Sequence, residues 1–424
     1  MADPRPLLSL EAALERLRQG AAAHRISAQE TVATFDALGR VLAQDVQSLL
    51  DVPPADNTSM DGYALRAADT AAIGTVLPVA QRIPAGVVGQ PLLPGTAARI
   101  FTGGQVPPGA DAVVMQEQCD ALPAPSGGDP AAATGLGAVR INTSVVPGQW
   151  VRRRGEDVQR GATVLAAGTR LTPQALGLAA SVGAAELPVL RRPRVALFST
   201  GDELVMPGQP LKPGAIYNSN RFMLRALLQA AGCTVLDLGI VPDQLAATRA
   251  ALRQAALGSD LIITSGGVSV GEEDHLKPAV QAEGELDLWQ VAMKPGKPLA
   301  FGHVRNPGAA AALFIGLPGN PVSSFVTFLL AVAPVLRTLQ GMPDRDPPAV
   351  AMRADFDWPR PDRRREFLRV RVNAGGGLEL FANQSSGVLT STVWADGLLD
   401  NPPGQAIEAG ETVRFLPLDS LVWR

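Results

Sequence analysis

The sequence predicts a multidomain α/β plus β protein, and three observations carry that reading. The chain has 424 residues, longer than one ordinary domain, and length alone suggests about three. Between about residue 190 and 340, apolar strands alternate with helices at the spacing of a parallel, doubly wound sheet covered on both faces. On either side of that region the helical periodicity gives way to short β-like runs between Gly and Pro clusters.

The elements follow in chain order. Ser9 suits an N-cap, Leu10, Ala13, Leu14 and Leu17 share one helical face, and Gly20 is a stop signal. Ser27-Ala28-Gln29-Glu30 has the form of a capping box, which predicts a helix toward Leu38 and Gly39. Residues 98–101 and 112–116 read as strands of a small β-rich domain, within which the Ala/Pro/Gly-rich stretch 121–138 reads as a long surface loop. In the α/β region, strands are expected at 195–199, 235–238, 261–264 and 313–315. Helices are expected at 220–231, 244–257 and 276–282 and after Pro321. Ligands bind such sheets beyond the carboxyl ends of the strands, which directs attention to residues 199–203, 241–243, 265–274 and 317–321. After about residue 345, β-like runs at 367–372, 378–381 and 412–416 predict a terminal β-barrel or sandwich. The expected division is 1–50 with 145–188 as an extended linker-like domain, residues 1–26 belonging there or on the α/β domain. The β-rich domain then takes 51–144, the α/β domain 189–342 and the C-terminal β-barrel 343–424.

Composition narrows the function. With 37 basic and 40 acidic residues, net charge −3, the chain lacks a nucleic-acid footprint. Two cysteines, Cys119 and Cys233, form no disulfide framework and point to a reducing, cytoplasmic setting. The start of the chain lacks the basic-then-apolar pattern of a secretory signal. The apolar stretch 322–336 contains Ser323, Ser324, Thr327 and Pro334, so it reads as a core helix and not a membrane span. Three scattered histidines make a His/Cys zinc site improbable. Metal chemistry then runs through oxygen ligands, or through ligands the substrate brings.

The segments that carry chemistry sit in the predicted loops. Thr264-Ser265-Gly266-Gly267-Val268-Ser269-Val270-Gly271-Glu272-Glu273-Asp274 places small residues after a buried strand, where amides and hydroxyls close around an anion. No Lys-Ser/Thr follows, so it is no Walker loop, and it is not GxGxxG. Taken alone it reads more readily as a strand-to-helix turn than as a binding loop, with Asp274 as a helix-start residue. Phe198-Ser199-Thr200-Gly201-Asp202-Glu203 and Val241-Pro242-Asp243 add carboxylates, while Lys294-Pro295-Gly296-Lys297-Pro298 adds two lysines on a stiff turn. If these loops converge, Glu203, Asp243 and Asp274 can hold Mg²⁺ while Lys294 and Lys297 face phosphate. Leu317-Pro318-Gly319-Asn320-Pro321 is a rigid helix entry that can wall a ligand pocket. Upstream lie Asn57-Thr58-Ser59-Met60-Asp61-Gly62-Tyr63-Ala64, Phe101-Thr102-Gly103-Gly104 and Arg152-Arg153-Arg154-Gly155-Glu156-Asp157.

In this order, over nearly the whole chain, these segments resemble the molybdopterin molybdenumtransferase family, which includes bacterial MoeA and the E domains of gephyrin and plant Cnx. The resemblance implies four domains and a homodimer with its cleft between the α/β domain of one subunit and the β-rich domain of the other. It implies insertion of molybdenum into adenylylated molybdopterin, with Mg²⁺ and with pyrophosphate cleavage and AMP release. Catalytic roles carry over to Asp61, Thr102, Glu203, Asp243, Asp274 and Lys294, and a family role to Asp157. Substrate contacts carry over to Ser265, Gly266, Gly267, Ser269, Gly271, Lys297, Pro318, Gly319, Asn320 and Pro321. Molybdate binding falls to Arg152, Arg364 and Ser386. Transient partners would be the preceding adenylyltransferase and molybdoenzyme maturation factors, with neither nucleic acid nor membrane. That adenylyltransferase, and competence-damage-type amidases, share the α/β domain but need neither the β-rich domain nor the barrel. A receptor-clustering scaffold is the rival reading of another class.

Overall fold

The computed structural model describes residues 7–124, 135–267 and 275–423. Its centre is a six-stranded sheet in the order Thr234–Val241, Arg194–Thr200, Leu261–Ser265, Ala312–Leu317, Pro298–Val304, Gly284–Gln290. The first four strands are parallel, but the last two run antiparallel to their neighbours. The expected all-parallel sheet is therefore mixed. The chain between Gln290 and Pro298 is too short for a crossover helix, so these strands join as a hairpin.

Alternation along each strand sends side chains to two separate cores. Val195, Leu197, Leu261, Ile263, Leu313 and Ile315 pack with the helices Leu10–Ala22, Ser219–Ala230 and Pro321–Leu339. Ala196, Phe198, Ile262 and Phe314 pack on the other face with Leu245–Ala256 and Leu276–Glu283. The Pro321–Leu339 helix is long and apolar enough to cross a membrane, yet 83% of its apolar window is buried inside the protein. Pro334 has no amide to give Leu330, and the helix widens into a π turn over Phe328–Val332.

Two local signals are overridden by packing. Ser9 does cap the first helix, its Oγ accepting from the Ala12 amide at 3.1 Å. That helix runs through Gly20 to Ala22, because Gly20 serves close approach: a Cβ there would lie 2.5 Å from Phe301 Cζ. The Ser27–Glu30 box opens no helix. Gln29–Ala33 is a strand paired with Glu186–Leu190, and Glu30 bonds Arg40. Pairing across the chain outweighs the capping signal.

Residues 32–52 and 158–189 share one core around Leu42, Leu171, Leu187 and Val189. The β-rich sheet runs Ala112–Met115, Gly62–Leu65, Ala97–Ile100, Val76–Ile83, Ala138–Ile141, Cys119–Leu122. Most of the loop expected at 121–138 (residues 125–134) lies outside the described residues, while Cys119–Leu122 and Ala138–Ile141 at its ends pair as strands. At the C-terminus, Leu378–Leu380, Arg365–Val372, Gly397–Asn401, Thr412–Pro417 and Val350–Arg353 pair in sequence around the ring. A bridge between Ala354 and Leu378 closes it into a barrel, over a core of Leu368, Val370, Leu399 and Phe415.

Candidate active site

Four parallel strands end side by side. Thr200 pairs with Val241, Ser199 with Ser265, and Ser265 with Leu317, so the loops at 201–203, 242–243, 266–267 and 318–320 emerge together. Gly266 has φ +94°, and a Cβ on it would fall 2.8 Å from the Thr200 carbonyl oxygen. Gly267 is also left-handed at +67°. A Cβ on Gly319 would reach Gly266 Cα at 3.9 Å, so bare backbone from two loops lines a narrow cleft. Asn220 ties the loops together, its Nδ2 donating to Ser265 Oγ and the Gly319 carbonyl, both at 2.7 Å. Among the described residues, Asn220 Oδ1, Asn218 Nδ2, Ser199 Oγ and Thr264 Oγ1 are buried without a partner. Unpaired buried polar atoms are costly, so this edge suits a polar ligand.

Carboxylates flank the cleft. Glu203 folds back over Gly201, where a Cβ would lie 2.5 Å from Glu203 Oε2. The Asp243 amide donates to Asp202 Oδ1 at 3.3 Å. Ser269, Gly271 and Asp274 lie outside the described residues. Among the described residues no three His, Cys, Asp or Glu side chains stand close enough to hold a metal. Mg²⁺ keeps several waters and binds one or two carboxylates plus substrate phosphates. Glu203 and Asp243 are the acids whose loops leave this sheet edge, and such a site asks for only one or two carboxylates.

The barrel closes the other side. Met293–Lys294 pairs with Arg365 and Glu366 of the barrel. Lys294 Nζ lies 3.1 Å from the fully buried Glu366 and 3.5 Å from Asp362, and 39% of its side chain remains exposed. Gly296 packs on the Pro321–Leu339 helix, where a Cβ would fall 2.4 Å from Thr327 Oγ1. Lys297 is exposed on the same turn. The Ser386 carbonyl accepts from the Val322 amide at 3.0 Å, placing Ser386 against the start of that helix. Pro318 is held there by Ser324, whose hydroxyl donates to its carbonyl.

Arg364, expected to hold molybdate, is engaged by an acid of its own turn. Its Nε and Nη2 form a bidentate pair with Asp362 at 2.9 and 2.8 Å. The guanidinium behind Ser385 and Ser386 belongs to Arg369, which is 1% exposed. It donates to the Phe367 and Ser385 carbonyls at 3.2 and 3.4 Å and to Ser391 Oγ at 3.2 Å, all neutral acceptors. Burial pushes it down to about 10. The signal was present in the sequence: an arginine two residues from Phe367, on the same face of an apolar strand.

A second constellation sits in the β-rich domain. Asp61 Oδ1 accepts from both the amide and the hydroxyl of Thr102 at 2.7 Å. Those two bonds, with the charge of Arg99, hold the Asp61 carboxyl below its ordinary range. Val151–Arg152 pairs with Asn57–Thr58, and Trp150 accepts from Ser59. Arg153 pairs with Asp56 and Arg154 with Asp51. Arg152 is exposed and makes no ion pair among the described residues. The Asp157 amide bonds the Val52 carbonyl. Asp61, Thr102 and Arg152 thus form a group apart from the sheet edge.

The modules and their order define the class. Residues 8–183 match the MoeA N-terminal region (domain I and II), 196–338 a probable molybdopterin binding domain, and 351–418 the MoeA C-terminal region (domain IV). The chain is 40% identical over 395 residues to a molybdopterin molybdenumtransferase of Haemophilus influenzae, covering 91% of this chain and 93% of that one. It is 41% identical over 386 residues to molybdopterin molybdenumtransferase 2 of Mycobacterium tuberculosis, covering 88% and 90%. A solved molybdopterin biosynthesis moeA protein of Pyrococcus horikoshii superposes with a TM-score of 0.80 at 28% identity, covering 97% of this chain and 100% of that one. The chain belongs to the molybdopterin molybdenumtransferase family.

Proposed function

We propose that the protein transfers molybdenum from molybdate to the dithiolene sulfurs of adenylylated molybdopterin, with release of AMP. One observation carries the reading. Among the described residues Arg369 is buried with neutral partners only, directly behind the Ser385–Ser386 turn that abuts the glycine cleft. A buried cation without a counter-charge is destabilising, and a tetrahedral dianion at Ser386 offsets it. Molybdenum favours soft sulfur, which the substrate's dithiolene supplies, so the site needs no cysteine cluster.

The residues divide the work. Backbone at Ser265, Gly266, Gly267 and Gly319, stiffened by Pro318 and Pro321, holds the pterin and its pyrophosphate. Lys294 and Lys297 face the phosphate oxygens. Arg369 and Ser386 hold molybdate, with Arg369 in the role first given to Arg364. Glu203 and Asp243, with Asp274, would hold Mg²⁺, which neutralises pyrophosphate charge when bound. Asp61, Thr102 and Arg152 act on the cleft of a second subunit in a homodimer. Cys119 and Cys233 are free, and burial raises both thiols, to about 11 and about 12. That suits a protein of the cytoplasm.

The test is to supply adenylylated molybdopterin, molybdate and Mg²⁺ and to follow AMP by chromatography. AMP release that tracks formation of molybdenum cofactor supports the reading. Absence of molybdenum on the pterin after AMP release would overturn it.

A further inference from the structure

Glu366 stands on the barrel strand Arg365–Val372 and is fully buried. Its two carboxylate oxygens have different tasks. Oε2 accepts from Trp358 Nε1 at 2.8 Å and from the Asp362 amide at 3.1 Å, both within the barrel. Oε1 accepts from Lys294 Nζ at 3.1 Å, across the seam to the α/β domain. Asp362 Oδ2 lies 3.5 Å from the same ammonium and is itself held by Arg364 Nη2 at 2.8 Å. Two barrel acids therefore face one lysine, and each is fixed by other barrel residues.

A lysine ammonium has three N–H donors. Glu366 takes one and Asp362 stands beside a second, and among the described residues nothing takes the third. With 39% of the side chain exposed, that donor is left for a ligand on the open side. A flexible four-carbon stem is thereby given one direction. Joining the two domains does not require this pair. Backbone already joins them: Met293 and Lys294 pair with Arg365 and Glu366, and the Arg365 amide donates to the Ala292 carbonyl at 3.0 Å. Burying a carboxylate is costly, and an apolar residue of like volume often serves stability as well or better. What the carboxylate secures is the position of Lys294.

We propose that Glu366 is a positioning residue for the transfer reaction, aiming the Lys294 ammonium from the barrel at the phosphate oxygens of the bound substrate, with Trp358 holding Glu366 in that direction. The inference rests on the reading that Lys294 faces phosphate, and it makes the barrel core part of the active site through a residue that acts only by way of Lys294.

AMP release by the full-length protein, supplied with adenylylated molybdopterin, molybdate and Mg²⁺, tests it in a double-mutant cycle. In Glu366→Gln the side-chain oxygen keeps both barrel donors, Trp358 Nε1 and the Asp362 amide, and the new amide nitrogen meets the ammonium donor to donor. The packing stays and the aim is lost. kcat/KM should fall about tenfold or more, whereas adding Glu366→Gln to Lys294→Met should change the remaining activity by less than about twofold. Trp358→Phe leaves Glu366 charged but removes one of its donors. It should give a smaller fall that also vanishes in the Lys294→Met background, and it carries the test if Glu366→Gln does not fold. Asp400→Asn controls for the loss of a buried barrel acid, since Asp400 pairs with Arg365 and Arg414 instead. Its melting temperature should drop while kcat/KM stays within about twofold of wild type. The proposal is overturned if Glu366→Gln turns over like wild type, if it costs the same factor with and without Lys294, or if Asp400→Asn loses as much activity. Active wild type with additive variants sinks only the role of Glu366, whereas wild-type protein that releases no AMP sinks the transfer reading and this role with it.

Discussion

The sheet edge and the Asp61–Thr102 group are built in opposite ways. At the edge, among the described residues, Ser199, Thr264 and Asn220 bury polar atoms without partners, and Arg369 is a cation bonded to neutral acceptors. Around Asp61 the carboxylate is met by two short bonds, and Thr102 is exposed. The first region carries unmet electrostatic demand, and a ligand is what meets it. The second is finished in itself and presents a preset carboxylate outward. On the proposed reading, a pocket that wants a ligand and a preorganised carboxylate in another domain would be the two halves of a site completed by association.

The largest expected effect breaks the first half. Arg369→Met removes the buried charge and keeps an unbranched apolar side chain of similar reach. Three neutral acceptors lose a donor, at about 1 kcal/mol each or less, partly offset by relief of the desolvated charge. Melting should move by only a few degrees, while turnover falls by about 100-fold or more with a raised KM for molybdate. Arg364→Met should leave that KM unchanged, since Arg364 is held by Asp362. Equal kinetic defects in both variants would count against Arg369 as the anion's partner.

Gly266→Ala probes the same edge through the backbone. Alanine must adopt φ +94° with its Cβ 2.8 Å from the Thr200 carbonyl, a strain of about 1–3 kcal/mol. Differential scanning calorimetry should show the loss, and AMP release should fall with it because the cleft must widen. Gly308→Ala, at φ +85° with nothing within 4 Å, controls for the dihedral alone. If both variants melt alike, the close approach of the loops is not what matters at Gly266.

Much of this was legible in the sequence, and the gaps have physical causes. The central strands at 195–199, 261–264 and 313–315 are short apolar runs ended by Gly, Ser or Pro, and burial on both faces makes such runs stand out. Gly284–Gln290 was missed because Glu285, Leu286, Asp287 and Leu288 alternate, the pattern of a strand at the sheet's edge. Gly20 and the Ser27 box misled because a glycine packed under Phe301 and a serine before a long-range strand carry the same letters as a stop and a cap. Arg364 was carried over from the Arg363-Arg364-Arg365 run, and Arg369 was not singled out, because what distinguishes it is burial, which only the closed barrel creates. Which chain's cleft Asp61 faces is not written in one chain's periodicity at all.

Mixing sharpens that point. Asp61→Asn and Arg369→Met, each inactive alone, are unfolded and refolded together. Random pairing makes half the dimers hybrid, each with one intact shared site, so activity should return to roughly a quarter of wild type, a count from twofold symmetry. Each variant refolded alone is the control. Hybrids proven by mass spectrometry and still inactive would put both halves of the site in one chain.

The smallest effect concerns the finished half. Thr102 holds Asp61 first by its amide, then by its hydroxyl, and both lower the carboxyl below its ordinary range, with Arg99 contributing. A depressed carboxyl is ionised down to a lower pH than a free one, and its contribution is lost as pH falls through the folded value. Thr102→Ala keeps the amide bond and removes the hydroxyl, so the carboxyl rises part of the way toward about 3.9. The acid limb of kcat/KM should therefore move to higher pH, with activity above about pH 6 nearly unchanged if Asp61 needs only its charge. Thr102→Ser, which restores the hydroxyl, should return the limb to its wild-type position. A limb that stays fixed in Thr102→Ala would mean that another group sets it. A loss of rate at every pH, not repaired by serine, would mean that Thr102 touches the substrate itself instead of positioning Asp61.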